Sequence, residues 1–120
     1  MVVQFPQPFL AEERIGDVTV VKFNLTEILD ERIIRRIARQ LFNLVEHSQN
    51  RRLILNLGGV GKLSATLLGT LLALDRLLRS QAGTLILCGI HDGLRDIFHI
   101  FKLPQLVRIC QDEQEALQAF

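Results

Sequence analysis

The chain has no tryptophan and no tyrosine, so its aromatic rings are seven phenylalanines. A protein that stacks nucleic-acid bases on ring faces would have only these to use, and they fall in apolar segments. Excess charge of either sign is also missing: 14 basic residues stand against 13 acidic ones, for a net charge of +1. That balance lacks the basic stripe of a nucleic-acid binder. No apolar run approaches the roughly 20 residues that span a bilayer. The opening "MVVQFPQPFLAEERIG" has neither the basic region nor the long apolar core of a secretory leader. A cytosolic protein is therefore expected, without a nucleic-acid or membrane partner. Only two cysteines occur, Cys88 and Cys110, both in apolar stretches and without metal-ligand spacing. Buried free thiols are expected there, with no disulfide and no metal. His91 follows Cys88 closely, but one such pair does not define a catalytic centre.

What remains is ample for one folded unit: 120 residues, 48% of them apolar, with no repeat and no internal linker. Residues 1–120 read as a single domain, of which 1–8, with "FPQP", form an extended lead-in. "FLAEERIGDVTVVKF" reads as a hairpin turning at Gly16-Asp17, with Val18 to Phe23 mostly buried. A helix is expected from Asp30, its N-cap, to His47. Ile33, Ile37, Leu41 and Leu44 recur on its inner face, and Arg32, Arg35, Arg36 and Arg39 on its outer face, with Glu31 spaced to pair with Arg35. "SQNR" ends that helix, and "RLILNL" at 52–57 is a short apolar strand. A second helix runs from Ser64 to Gln81 and stops at Gly83. "TLILCGI" is another buried strand. "HDGLRDIFHIFKL" is a shorter helix ending before Pro104. "LVRIC" is a last strand, and "DEQEALQAF" a closing helix with Asp112 and Glu115 in capping-box positions. Apolar strands alternating with helices imply parallel pairing and right-handed crossovers.

The segment "LNLGGVGKLSATLLG", 55–69, lies at the carboxyl end of a strand, where such sheets carry their working loops. Gly61-Lys62 supplies part of a phosphate-binding loop. However, the first glycine of that motif would fall on Asn56, and the hydroxyl that should follow the lysine is replaced by Leu63. A small nucleotide-binding or enzymatic domain built on Gly61-Lys62 is the alternative; a strand-to-helix turn capped by the Ser64 hydroxyl is the stronger expectation. At 100° per residue, Leu67, Leu71, Leu74 and Leu78 fall on one arc of the helix, its core stripe. Leu68 and Leu72 lie on a flank. Ala65, Gly69 and Arg76 lie nearly opposite the core, so the outer side of the helix start is small and smooth. Another backbone could approach it closely.

At these residues the sequence resembles STAS domains, the fold of anti-sigma factor antagonists. The family pattern is an apolar strand followed by L-[DN]-L-x-x-[VL]-x-x-[LIM]-D-S-[ST]-G-L-G. The later half, "GTLILCGIHDGLRDIFHIFKLPQLVRICQDEQEAL", resembles the family's closing strand, short helix and final helix, so the likeness covers nearly the whole chain. It implies an α/β single-domain fold with a mixed sheet of four to five strands and about four helices, packed mainly on one face. It also implies a protein-binding regulatory module that is no enzyme and needs no cofactor. Its partner would be an anti-sigma factor or serine-kinase-type regulatory protein, and the domain itself a monomer or weak dimer. In the family, a partner kinase phosphorylates the serine after the aspartate, and the added charge of about −1.5 to −2 breaks the complex. Here Ser64 takes the aspartate's place, Ala65 the phosphoacceptor's, and Leu67 that of the following glycine. The usual modification therefore has no hydroxyl to use. If it has moved, Ser64 or Thr66 would carry it. The expected docking residues are Gly61, Lys62, Ser64, Ala65, Thr66, Leu68, Gly69 and Leu72, within 58–72, with the start of the short helix near Gly89 to Leu94.

Overall fold

The computed structural model describes residues 9–48 and 51–120; the expected lead-in over 1–8 lies outside the described residues. The hairpin is present. Strands β1 (Leu10–Ile15) and β2 (Val18–Phe23) pair antiparallel across a two-residue turn, in which Gly16 takes a φ of 62°. A positive φ at the first turn position is the condition for the tight turns that match strand twist. After the two-residue strand β3 (Glu27–Ile28) comes α1 (Glu31–Ser48). Asp30 caps it as expected, its Oδ1 accepting from the Arg32 N–H at 2.8 Å. That backbone bond, together with the Arg32 guanidinium, holds the Asp30 carboxyl below its ordinary range.

Strand β4 (Arg52–Asn56) leads through a second two-residue strand, β5 (Lys62–Leu63), into α2 (Ala65–Ser80). The core stripe of α2 is the expected one: Leu67, Leu71, Leu74 and Leu78 are all fully buried. Each stabilises the fold by roughly 1.5–3 kcal/mol. The helix ends in a Schellman motif: Gly83 N–H donates to Leu78 O and Ala82 N–H to Arg79 O. The left-handed residue of that motif is Ala82, φ 59°, one position before the glycine that the sequence marks as the stop.

Strand β6 (Thr84–Cys88), helix α3 (Asp92–Ile100), helix α4 (Leu103–Leu106), strand β7 (Arg108–Cys110) and helix α5 (Glu113–Leu117) complete the chain. Pro104 does more than stop a helix. The chain breaks at Lys102 in the left-handed region, and proline then sits in the first turn of α4, where its missing N–H costs nothing. This gives five helices among the described residues, against the four expected. The capping box on α5 forms: Asp112 Oδ1 accepts from Glu115 N–H at 2.9 Å. Glu115 reaches back to the N–H of Gln111, at 3.3 Å.

The main sheet runs β1-β2-β4-β6-β7, parallel except for the first pair, and β3 and β5 form a small parallel sheet beside it. One face carries the large core, into which α1, α2, α3 and α4 pack. On the other face, α5 lays Ala116 over Val20, Ile54, Ile86, Cys88 and Cys110.

Candidate functional site

The loop between β4 and α2 is held by the Asn56 side chain and by main-chain carbonyls of the segment before α1. Asn56 ends β4, and its Oδ1 accepts from Gly58 N–H at 2.8 Å. Its Nδ2 donates to Glu113 Oε1 on α5 at 2.9 Å, and that carboxylate also meets Lys22 of β2 at 3.4 Å. Val60 N–H closes a turn on Leu57 O. Gly61 and Lys62 both donate to Thr26 O, at 2.8 and 3.3 Å, and Ser64 N–H reaches Ile28 O at 3.0 Å. The small β3–β5 sheet thus pins the loop to the segment before α1. Neither two-residue strand has a periodicity to detect, and sequence reasoning missed both. The Lys22–Glu113–Asn56 link was also missed, because its members lie far apart in the chain.

Two glycines let this loop close on Asn56. A Cβ at Gly58 would lie 2.9 Å from Asn56 Oδ1. At Gly89, where φ is 73°, a Cβ would lie 2.6 Å from that oxygen and 2.9 Å from Gly58 N. The His91 ring, through Nε2, contacts Gly58 O. It is therefore part of the loop's packing.

This geometry argues against a phosphate cradle. Such loops hold anions with unspent backbone N–H groups, and here those of Gly58, Val60, Gly61, Lys62 and Ser64 are all bonded within the protein. Lys62 lies in a strand, its amine 4.0 Å from Glu27. An open cavity of about 410 Å³ does lie between Thr26, Glu27, Gly59, Gly61, Lys62 and His91. Its one lysine already faces a carboxylate.

At the start of α2 the expected cap is only half present. Ser64 occupies the N-cap position in extended conformation, but its side chain makes no cap hydrogen bond. Its Oγ is buried, with no hydrogen-bond partner among the described residues. Ala65 and Thr66 are exposed, and the Thr66 hydroxyl donates to Glu31 at 3.2 Å. Glu31 thus faces α2, and among the described residues it makes no ion pair with Arg35. Arg32, Arg35, Arg36 and Arg39 do lie exposed along α1, Arg32 meeting Asp30 at 3.5 Å. Gly69 is exposed, with open space where a Cβ would stand.

Leu72 is half-buried, but Leu68 is 1% exposed and belongs to the core. The expectation that Leu68 borders a free surface is corrected, because its side chain is packed into the large core. Asp75 and Arg79 lie on the same side of α2 as Leu68. Asp75 is buried against Arg79 at 3.0 Å, and Arg79 donates to Leu106 O at 2.9 Å. An acid and a base four residues apart in a leucine-rich helix signalled that contact, but the sequence does not name the partner element.

Both cysteines are free and buried. Burial, then the charges of Glu113 and Cys110, pushes the Cys88 thiol up to about 12. A second cavity, about 490 Å³, opens between α3, α4 and β7, lined by Ile90, Phe98, Ile109 and Cys110 with Arg95 and His99. Arg95 pairs with Asp92 at 2.9 Å. His47 is exposed beside Gln40 and Asn43 on α1. Among the described residues, no helix is long and apolar enough to cross a membrane.

Comparison with known proteins agrees with this fold. A family model for the STAS domain matches residues 11–116. Among solved structures, an anti-sigma-factor antagonist (STAS) domain protein from Planctomyces limnophilus superposes with a TM-score of 0.83 at 18% identity, covering 92% of this chain and 96% of that one. An anti-sigma factor antagonist from Mycobacterium paratuberculosis gives 0.81 at 21% identity, covering 92% and 91%. A sulfate transporter family protein from Wolinella succinogenes gives 0.71 at 17%, covering 87% and 84%. At such identities the structural likeness speaks for the fold.

Proposed function

The chain belongs to the STAS domain family, and on that premise we propose that it is a regulatory protein-binding module of the anti-sigma factor antagonist kind. It docks an anti-sigma or serine-kinase-type protein through the β4–α2 loop and the outer face of α2, within 58–72, and it does so without the usual serine phosphorylation. The observation that carries this reading is the helix start itself. Ala65 and Gly69 are exposed, no described residue comes within 4 Å of where a Gly69 Cβ would stand, and Leu72 borders them half-buried. An uncharged, small face on a rigid helix admits another backbone at close range.

The absence of a switch rests on the hydroxyls available. Ala65 has none. Ser64 Oγ is buried, so a kinase would have to open the helix start to reach it. Thr66 Oγ is exposed as a residue but already donates to Glu31. A domain of this kind stays in its binding-competent form, and its control lies with its partner.

The test is Gly69→Arg. The substitution fills open space, so the folded state survives, with an unfolding midpoint close to that of the parent. Capture of the anti-sigma or kinase-type protein that co-purifies from the same cell is expected to fall at least tenfold, about 1.4 kcal/mol of binding free energy. Undiminished capture by the folded variant would refute the surface. Incubation with that kinase and ATP is expected to leave the intact mass unchanged; a phosphate mapped to Ser64 or Thr66 would overturn the second half of the reading.

A further inference from the structure

We propose that Cys88 and Cys110 together form an oxidation site: a dithiol, reduced at rest, that a peroxide closes to an intramolecular disulfide. The placement is given by the sheet. Cys88 of β6 and Cys110 of β7 are direct register partners on neighbouring parallel strands. Neighbouring strands lie about 4.8 Å apart, inside the roughly 4.4–6.8 Å between Cα atoms that a disulfide spans. Both side chains point to the same face, into the small cluster that Ala116 of α5 covers. β7 is three residues long and forms the sheet edge, bonded on one side only. It is the strand best able to move by the small amount that closure requires.

Access separates the two roles. Cys110, on the edge strand, is 5% exposed, while Cys88 is fully buried. The Cys110 sulfur gives up its thiol proton and attacks one peroxide oxygen. The O–O bond breaks, the leaving oxygen takes up a proton as water, and Cys110 becomes a sulfenic acid. The Cys88 sulfur then displaces that hydroxyl. The S–O bond breaks, the S–S bond forms, and the hydroxide leaves with the Cys88 proton as a second water. In sum, two thiols and one peroxide give one disulfide and two waters. A thiol held near 12 is a poor first nucleophile, which suits Cys88 to the second step. Cys88 is also in register with Asn56, the residue that anchors Gly58 and Glu113. The new bond would therefore form one strand away from the anchor of the β4–α2 loop.

The experiment treats the folded, reduced protein with hydrogen peroxide at neutral pH, blocks residual thiols by alkylation and reads the intact mass. The expected product is a monomer lighter by two hydrogens, refractory to alkylation, restored by dithiothreitol, and yielding one peptide pair joined through Cys88 and Cys110. Cys88→Ser is expected to stop at Cys110 sulfenic acid, trapped by dimedone, and Cys110→Ser to show no oxidation at Cys88 over the same time. A wild-type monomer that keeps both thiols alkylatable would sink the proposal, as would one that adds oxygen at Cys110 without losing the two hydrogens. That wild-type arm decides the matter even where a variant fails to fold.

Discussion

Replacing Ser64 by alanine tests the helix start most directly, because two ordinary expectations about it oppose each other. A serine at an N-cap normally accepts a hydrogen bond from the first turn, and its removal costs about 0.5–2 kcal/mol. Ser64 is at that position, with the extended backbone a cap requires, yet its hydroxyl makes no such bond. It is instead buried, with no partner among the described residues. An unsatisfied buried hydroxyl costs about 1–3 kcal/mol of desolvation. Ser64→Ala therefore loses no bond and removes a penalty. Because the residue as a whole is only half-buried, the lower end of that penalty applies, and the expected change is between about zero and +1 kcal/mol of added stability. Urea unfolding followed by circular dichroism measures it, provided the m value of the variant equals that of the parent. A loss of about 1 kcal/mol or more at equal m would mean that Ser64 caps α2 in solution after all, and the argument that its oxygen is out of a kinase's reach would fall with it.

Ala82→Gly is expected to stabilise the protein by about 0.5–1 kcal/mol, since the left-handed position that closes α2 is held by a residue with a Cβ; calorimetry would show the melting point rise, and an unchanged or lower one would refute this. Gly89→Ala is expected to cost more than about 2 kcal/mol, because φ is 73° and the new methyl meets Asn56 Oδ1 and Gly58 N. Chemical denaturation would show that loss, and amide exchange should rise first at Gly58 and Val60. Stability should also fall in alkali. The folded Cys88 thiol is held up to about 12 against an ordinary value of 9.0, so the unfolded chain releases its proton first. The stabilisation is complete below pH 9 and is lost as pH rises from 9 towards 12. Cys88→Ala should flatten that slope, and an equally steep one in the variant would show that other groups produce it.

The long elements were legible in the sequence because one physical rule wrote them. Leu67, Leu71, Leu74 and Leu78 recur at helical spacing and all are buried, and the apolar run of β4 is what a strand covered on both faces requires. The Asp112–Glu115 cap is local in sequence and was equally readable. What the sequence hid depends on contacts between distant segments. Leu68 carries the same residue type as Leu72 and lies one turn before it on α2, yet it is packed into the large core while Leu72 is only half-buried, and no spacing rule separates the two. Glu31 was spaced to meet Arg35 but found Thr66 of the neighbouring helix.

The misjudged Ser64 cap has a cause that bears on function. Its position satisfies the local rule, but the residue also closes the β3–β5 sheet through its main chain, and Thr26 and Ile28 between them take the N–H groups of Gly61, Lys62 and Ser64. A phosphate cradle needs those same N–H groups free. The small sheet that sequence reasoning missed therefore weighs against the phosphate-binding reading of the glycine loop. With its donors spent inward, the loop offers an arriving molecule shape and little unspent polarity. That favours the proposed docking of a protein backbone along Ala65 and Gly69 over phosphate binding. Freeing the loop by breaking β3–β5 pairing would thus be expected to weaken protein docking without creating phosphate affinity, because Leu63 still stands where the metal-binding hydroxyl of such a loop would have to be.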